Sequence, residues 1–220
     1  MWNSFIDLLV NIMTQFSGIA GLNTGLIILF TSLLIRFALL PLTIKTACGN
    51  LHRQKKMQLI QPELEKLKSK YKSSPEQLNH HTLELFKRHK IELIDKKGLL
   101  SGLLQAPLFI GMIAAIKRIV GTGEAFLWIR NIAHPDFFIV IIATALSYIA
   151  SVLTPNLSEQ GKTMIIWMPV LLTAVFLWKL PAGIGLYLVA SNLVNVFQSL
   201  IVRQKITNRT MASDMRLSLS

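Results

Sequence analysis

Arg36 stands in an otherwise apolar run, LNTGLIILFTSLLIRFALLPL, residues 22–42. Arginine does not deprotonate in proteins and presents five N–H donors in a planar fork, so it is a fixed positive charge suited to carboxylates and carbonyls. The run is long enough to cross a bilayer, which takes about 20 apolar residues. A charge at the bilayer centre costs about 2.5–3.5 kcal/mol on insertion scales and about 10–17 kcal/mol in simulations. Such a residue calls for water, a partner or a function that offsets this cost. On a helix, Ser32, Arg36 and Thr43 share one side, with Gly25 farther out along it.

Other apolar runs carry polar residues at helical spacing. Ser101, Gly102 and Gln105 precede Pro107. Thr144, Ser147, Tyr148 and Ser151 form a second set, and Tyr187, Ser191, Asn192, Asn195 and Gln198 a third. One reading is hydrogen bonding between helices, each bond contributing about 0.6–2 kcal/mol. The other is a wet cavity around Arg36, whose candidate lining is Ser32, Thr43, Gln105, Thr144, Ser147, Tyr187, Ser191 and Asn195. No Asp or Glu lies in any of the apolar runs, so no fixed salt-bridge partner is available there. Arg36 therefore either snorkels to the nearer interface, about 9 Å away at 1.5 Å per residue, or faces the cavity.

Other chemistries find little support. His80-His81 invites a metal, but neighbouring helical residues do not face each other. Glu84 lies at the right spacing from each, yet no further ligand follows, so no metal site is expected. Cys48 is the only cysteine, which excludes an internal disulfide and a cysteine-based metal cluster. No GxSxG, HExxH or glycine-rich phosphate loop appears, and no intramembrane acid pair, so no chemical catalysis and no cofactor are expected.

The elements that must position Arg36 are membrane helices. Of 220 residues, 52% are hydrophobic and only 15% charged, with the apolar residues in blocks, which marks an integral membrane protein. Five spans are predicted, near 22–42, 99–116, 137–153, 163–180 and 182–202. The net charge of +12 is better read as orientation than as nucleic-acid binding. Thirteen Lys/Arg lie between Lys45 and Lys97; with that loop inside, 18 basic residues are cytoplasmic and four are outside. Basic residues favour the cytoplasmic side, which predicts the N-terminus outside and the C-terminus inside.

Residues 1–17 read as an amphipathic interfacial helix with Phe5, Leu8, Leu9, Ile12 and Phe16 at helical spacing, or else as an extension of the first span. The start lacks the basic front of a cleaved signal, and no cysteine near it offers a lipid anchor. The first span occupies 18–44. Residues 45–97 form a helical hairpin with a tip near 72–74: one helix over 51–71, then Ser74 as N-cap, Pro75 in the first turn, Gln77 completing a capping box, and a second helix to about Asp95. Its lysines, including Lys66, Lys68, Lys70 and Lys72, suit either a solvated spacer or a docking surface. The other four spans fill 98–203, and 204–220 is a short basic tail.

In order and spacing the chain resembles the YidC-type membrane protein insertases and their mitochondrial and chloroplast relatives. The matching pieces are Ser32 to Leu42 (SLLIRFALLPL), Ile60-Gln61-Pro62-Glu63, Gln105-Ala106-Pro107-Leu108-Phe109-Ile110, Met168-Pro169, and Leu180-Pro181-Ala182-Gly183 with Tyr187, Ser191-Asn192 and Gln198. Leu188, Ala150-Ser151 and 94–98 depart from the family's usual residues. The resemblance implies an all-α fold with five transmembrane helices around a hydrophilic groove that is open to the cytoplasm and to lipid. Arg36 takes the place of the groove arginine and Ser32 that of a small hydroxyl residue one turn before it; Gln105 and Tyr187 fall on motif positions. The resemblance also implies a short form without the large extracytoplasmic domain of many members, placed in the bacterial plasma membrane, with an organelle inner membrane as the alternative. Implied partners are nascent membrane proteins and the lipid bilayer, with the ribosome and a Sec-type translocation channel as further candidates and no stable small-molecule ligand. The competing reading is a small-anion secondary transporter using Arg36, although the sequence shows no internal repeat.

Overall fold

A computed structural model describes residues 1–72, 74–91, 96–122, 124–155 and 162–217, without the side chains of 17–20, 96–102, 104, 122, 162, 165, 206 and 208–217. The expected hairpin end at 92–95 and the loop at 156–161 lie outside these residues, as do the side chains of Ser101, Arg209 and Arg216. Seven α-helices account for nearly all of the described chain: α1 (Trp2–Ala20), α2 (Thr24–Lys70), α3 (Pro75–Arg88), α4 (Lys96–Ile119), α5 (Phe137–Leu153), α6 (Lys162–Leu177) and α7 (Ala182–Leu217). Two are long and apolar enough to cross a membrane, in α2 and in the Ala182–Lys205 part of α7; Phe137–Leu153 and Ile166–Leu177 are shorter apolar helices.

The first span and the first hairpin helix are one element. α2 runs through 47 residues, about 70 Å at helical rise, with Pro41 and Pro62 inside it. Gly49 costs about 1 kcal/mol of helix propensity relative to alanine, which its neighbours outweigh. Asn23 begins the helix by accepting a hydrogen bond from the Gly25 N–H at 2.9 Å.

Among the described residues one apolar core joins six helices, α1, α2 and α4 to α7, at the end of the bundle where α2 and α7 begin. It contains Ile27 and Ile28 of α2, Met112 and Ile116 of α4, Ile139 and Ala143 of α5, and Ile184 and Tyr187 of α7. The α4–α5 connection folds over this end. Phe126 and Ile129 exchange both backbone hydrogen bonds at 2.8 Å around a tight turn. Ile132 accepts from the Gly183 N–H at 3.0 Å and His134 from the Ala182 N–H at 2.9 Å, so the connection caps α7. It also caps α2: Asn23 donates to the Ala125 carbonyl at 2.7 Å, and the Glu124 carboxylate accepts from the Thr24 N–H and hydroxyl. The Phe126 ring fills the space that a Cβ on Gly25 would need, so glycine is required for this close approach.

α1 packs on α4 and α2. Its buried face is Ile6, Leu9 and Met13, with Phe5 over Gly111, whereas Leu8 and Phe16 are exposed. The buried stripe is thus rotated from the expected one, because the α4 surface chooses which residues are covered. Arg118 of α4 ties α1 down by an ion pair with Asp7 at 2.7 Å.

The hairpin has its own small core of Ile60, Leu85 and Ile91, flanked by Met57, Leu64, Leu67 and Phe86. Pro75 occupies the first turn of α3 as expected, but Ser74 makes no side-chain cap, so the capping box does not form. α3 ends at Arg88 rather than near Asp95. Lys90 adopts a left-handed φ of 50° there, and the chain turns to bury Ile91 against α2.

Candidate functional site

The packing of α2 changes along its length. Its buried residues are Thr24, Gly25, Ile27, Ile28, Thr31, Ser32 and Arg36, after which none is buried until Leu51 in the hairpin. α4 shows the same gradient: Gly111, Met112, Ala115 and Ile116 are buried, while the described side chains at 103–110 are not. Arg36 therefore marks the limit of the packed region along α2.

α2 and α7 lie side by side, and the Arg36 side chain turns across to α7 instead of extending along its own helix. Arg36 is 9% exposed, and its Nε donates to Ser191 Oγ at 3.0 Å. Ser191 is itself buried. Among the described residues no carboxylate pairs with Arg36, and its two terminal nitrogens have no protein partner. A buried cation with one neutral hydrogen bond is only partly satisfied, since each remaining N–H retains its demand for an acceptor.

Further hydroxyls lie within α2 and on α5 and α6. Ser32 is fully buried and donates to the Ile28 carbonyl one turn back. Thr31 and Thr144 each have a buried hydroxyl with no hydrogen-bond partner among the described residues. Ser147 of α5 accepts from Thr173 of α6 at 3.4 Å. Asn192 of α7 donates to the Ala143 carbonyl of α5 at 3.1 Å, so α7 bonds to α2 through Ser191 and to α5 through the next residue.

Among the described residues the remaining candidates make no hydrogen bond to Arg36. Thr43 is half-buried and donates to the Leu40 carbonyl of its own helix at 3.1 Å. Gln105 and Asn195 are half-buried, on α4 and α7. Tyr187 is buried in the apolar core, with Phe109 of α4 at 5.9 Å between ring centroids. The hairpin lysines are exposed; Lys66 and Lys70 border a cleft of about 290 Å3 with Glu63, His81, Glu84 and Arg88, and Lys70 lies over the Tyr71 ring. His80 and His81 both reach Glu84, at 3.8 and 3.2 Å, closer together than adjacency on a helix suggests.

Thr31 and Thr173 were not among the expected site residues. Thr31 sits beside Ser32 in the apolar run, off the stripe defined by Arg36, and Thr173 is a lone hydroxyl in α6. A hydroxyl within an apolar helix was the available signal for both.

Residues 15–209 match the family model described as 60Kd inner membrane protein. The chain is 32% identical to the membrane protein insertase YidC of Fusobacterium nucleatum, over 91% of this chain and 94% of that relative. The chain belongs to the YidC family of membrane protein insertases. It is also 30% identical to the insertase MisCA of Bacillus subtilis, over 92% of this chain and 79% of MisCA. The YidC of Anaeromyxobacter dehalogenans is 33% identical over 80% of this chain, which spans only 32% of that longer relative. A crystal structure of an active YidC insertase, with the first transmembrane domain resolved, shares the fold at a TM-score of 0.56 and 23% identity, over 89% of this chain and 45% of that one.

Proposed function

We propose that this chain inserts nascent membrane proteins into a bacterial inner membrane without chemical catalysis. Five segments, in α2 and α4 to α7, cross the bilayer, with the N-terminus outside and the C-terminus and hairpin in the cytoplasm. The packed end with its folded-over connection faces outward, and the polar junction below it is a groove open to the cytoplasm. Arg36 attracts acidic groups or carbonyls in the short polar tail of a substrate through charge-assisted hydrogen bonds. A wet groove shortens the apolar distance the tail has to cross. The substrate's apolar segment then moves sideways into lipid, driven by about 25 cal/mol per Å2 of apolar surface removed from water.

One observation carries this reading. Arg36 is buried where the sealed packing stops, and its terminal nitrogens have no protein partner among the described residues. Such a charge is poised for an acceptor that arrives from elsewhere. The family supports the role, since the relatives are insertases by name. No specific observation favours the small-anion alternative.

The test is insertion by the full chain reconstituted in phospholipid vesicles, using a single-span substrate with an acidic outer tail. Arg36→Ala lowers insertion strongly, and Arg36→Lys retains most of it. Full activity of the alanine variant would overturn the proposal.

A further inference from the structure

We infer that Ser191 is a positioning residue that fixes which edge of the Arg36 guanidinium meets the substrate. This rests on the insertase reading above and adds the geometry of its central contact. A guanidinium can grip a carboxylate with two parallel N–H bonds along either of two edges. One edge uses Nε and one terminal nitrogen; the other uses both terminal nitrogens. Nε donates to Ser191 Oγ at 3.0 Å, and both residues are buried, so the first edge is committed within the protein. The terminal edge retains four N–H donors with no protein acceptor among the described residues.

The neighbouring hydroxyls do not do the same work. Ser32 donates to Ile28 and Thr43 to Leu40, each within α2. Among the described residues Ser191 alone hydrogen-bonds Arg36 from a second helix, and Asn192 holds that helix to α5 through the Ala143 carbonyl. The guanidinium is thereby held to both sides of the site. A planar carboxylate of an Asp or Glu in the substrate's tail engages it end-on, with two parallel bonds. A carbonyl offers one neutral oxygen where a carboxylate offers two charged ones in matching geometry, so the arrangement discriminates in favour of acidic tails.

The experiment compares two single-span substrates in vesicles containing the full chain. One has two aspartates in its short outer tail, and the other has asparagines in their place. In Ser191→Ala the guanidinium is free to rotate, and the preference for the aspartate tail falls about two- to tenfold, the range set by the cost of ordering one long side chain. Ser191→Thr keeps the hydroxyl and restores the preference. In 15N-labelled protein the Arg36 Nε–H is protected from exchange, and Ser191→Ala removes that protection. Equal losses for both substrates would reduce Ser191 to a packing role and overturn the inference, as would an unprotected Nε–H in the native chain. A native preference in Ser191→Ala, with insertion lost in Arg36→Ala, would overturn this inference alone. Unimpaired insertion in Arg36→Ala would overturn the functional reading beneath it.

Discussion

Glu124 and Thr24 are joined twice: the carboxylate accepts the Thr24 hydroxyl at 2.5 Å and the Thr24 N–H at 3.2 Å. These bonds favour the ionised carboxylate and hold its pKa below the usual value for glutamate, the hydroxyl bond contributing most. The positive end of α2 lies at the same place. A pKa lowered by folding means that the contact stabilises the native state above the unfolded-state value of about 4.3. That contribution disappears as pH falls from there through the lower folded value. Thermal unfolding in detergent should show a loss of stability below about pH 4.5, and Glu124→Gln should flatten that part of the profile.

The packed end of the bundle depends on Gly25 having no side chain. Gly25→Leu pushes a branched side chain into the Phe126 ring, which must move out of a packed site. Overpacking of this kind costs about 1–3 kcal/mol. The melting temperature should fall, and Phe126→Ala in the same chain should recover part of the loss by making room.

Asn192 joins α7 to α5 away from any solvent-facing surface. Asn192→Ala removes the donor and leaves the Ala143 carbonyl without its side-chain bond. Hydrogen bonds between membrane helices contribute about 0.6–2 kcal/mol, so a loss in that range should appear in detergent or urea unfolding.

The hairpin core is separate from the membrane core, and this predicts local unfolding. Ile60 is 1% exposed and packs with Leu85 and Ile91. Ile60→Ala should destabilise the hairpin by about 2–5 kcal/mol. Limited proteolysis should then cut more rapidly between α3 and α4, while the melting of the membrane region changes little.

How much of this was legible in the sequence varied with the kind of signal. Arg36 was visible because a charge in an apolar run is costly wherever it lies. Ser191 was visible as part of a helical stripe, but nothing in the stripe singled it out from Asn195 or Tyr187 as the arginine's partner. That choice depends on the rotation of α7 against α2, which is set by packing at the sealed end. The N-terminal helix was legible as amphipathic, yet Phe5, Leu8, Leu9, Ile12 and Phe16 was not the buried set, since α4 presents Gly111 as the notch into which Phe5 fits. Ser74 had the right type and spacing for a cap and does not make one; its backbone lies at φ −134° and ψ 85°, and its N–H donates to the Tyr71 carbonyl at 3.1 Å. The join between the first span and the hairpin was hidden by Gly49 and a change of composition, neither of which breaks a helix.

That join has a mechanical consequence. Arg36 and the hairpin tip belong to one rod, with Lys70 about 51 Å from Arg36 along its axis. A sideways push of about 5 Å at the tip tilts such a rod, about 70 Å long, by about 4° around its far end. The far end is pinned by Glu124, Asn23 and Phe126, so the tilt is taken up where α2 passes beside α7. Load on the hairpin is thus delivered as leverage on the wall that carries Arg36.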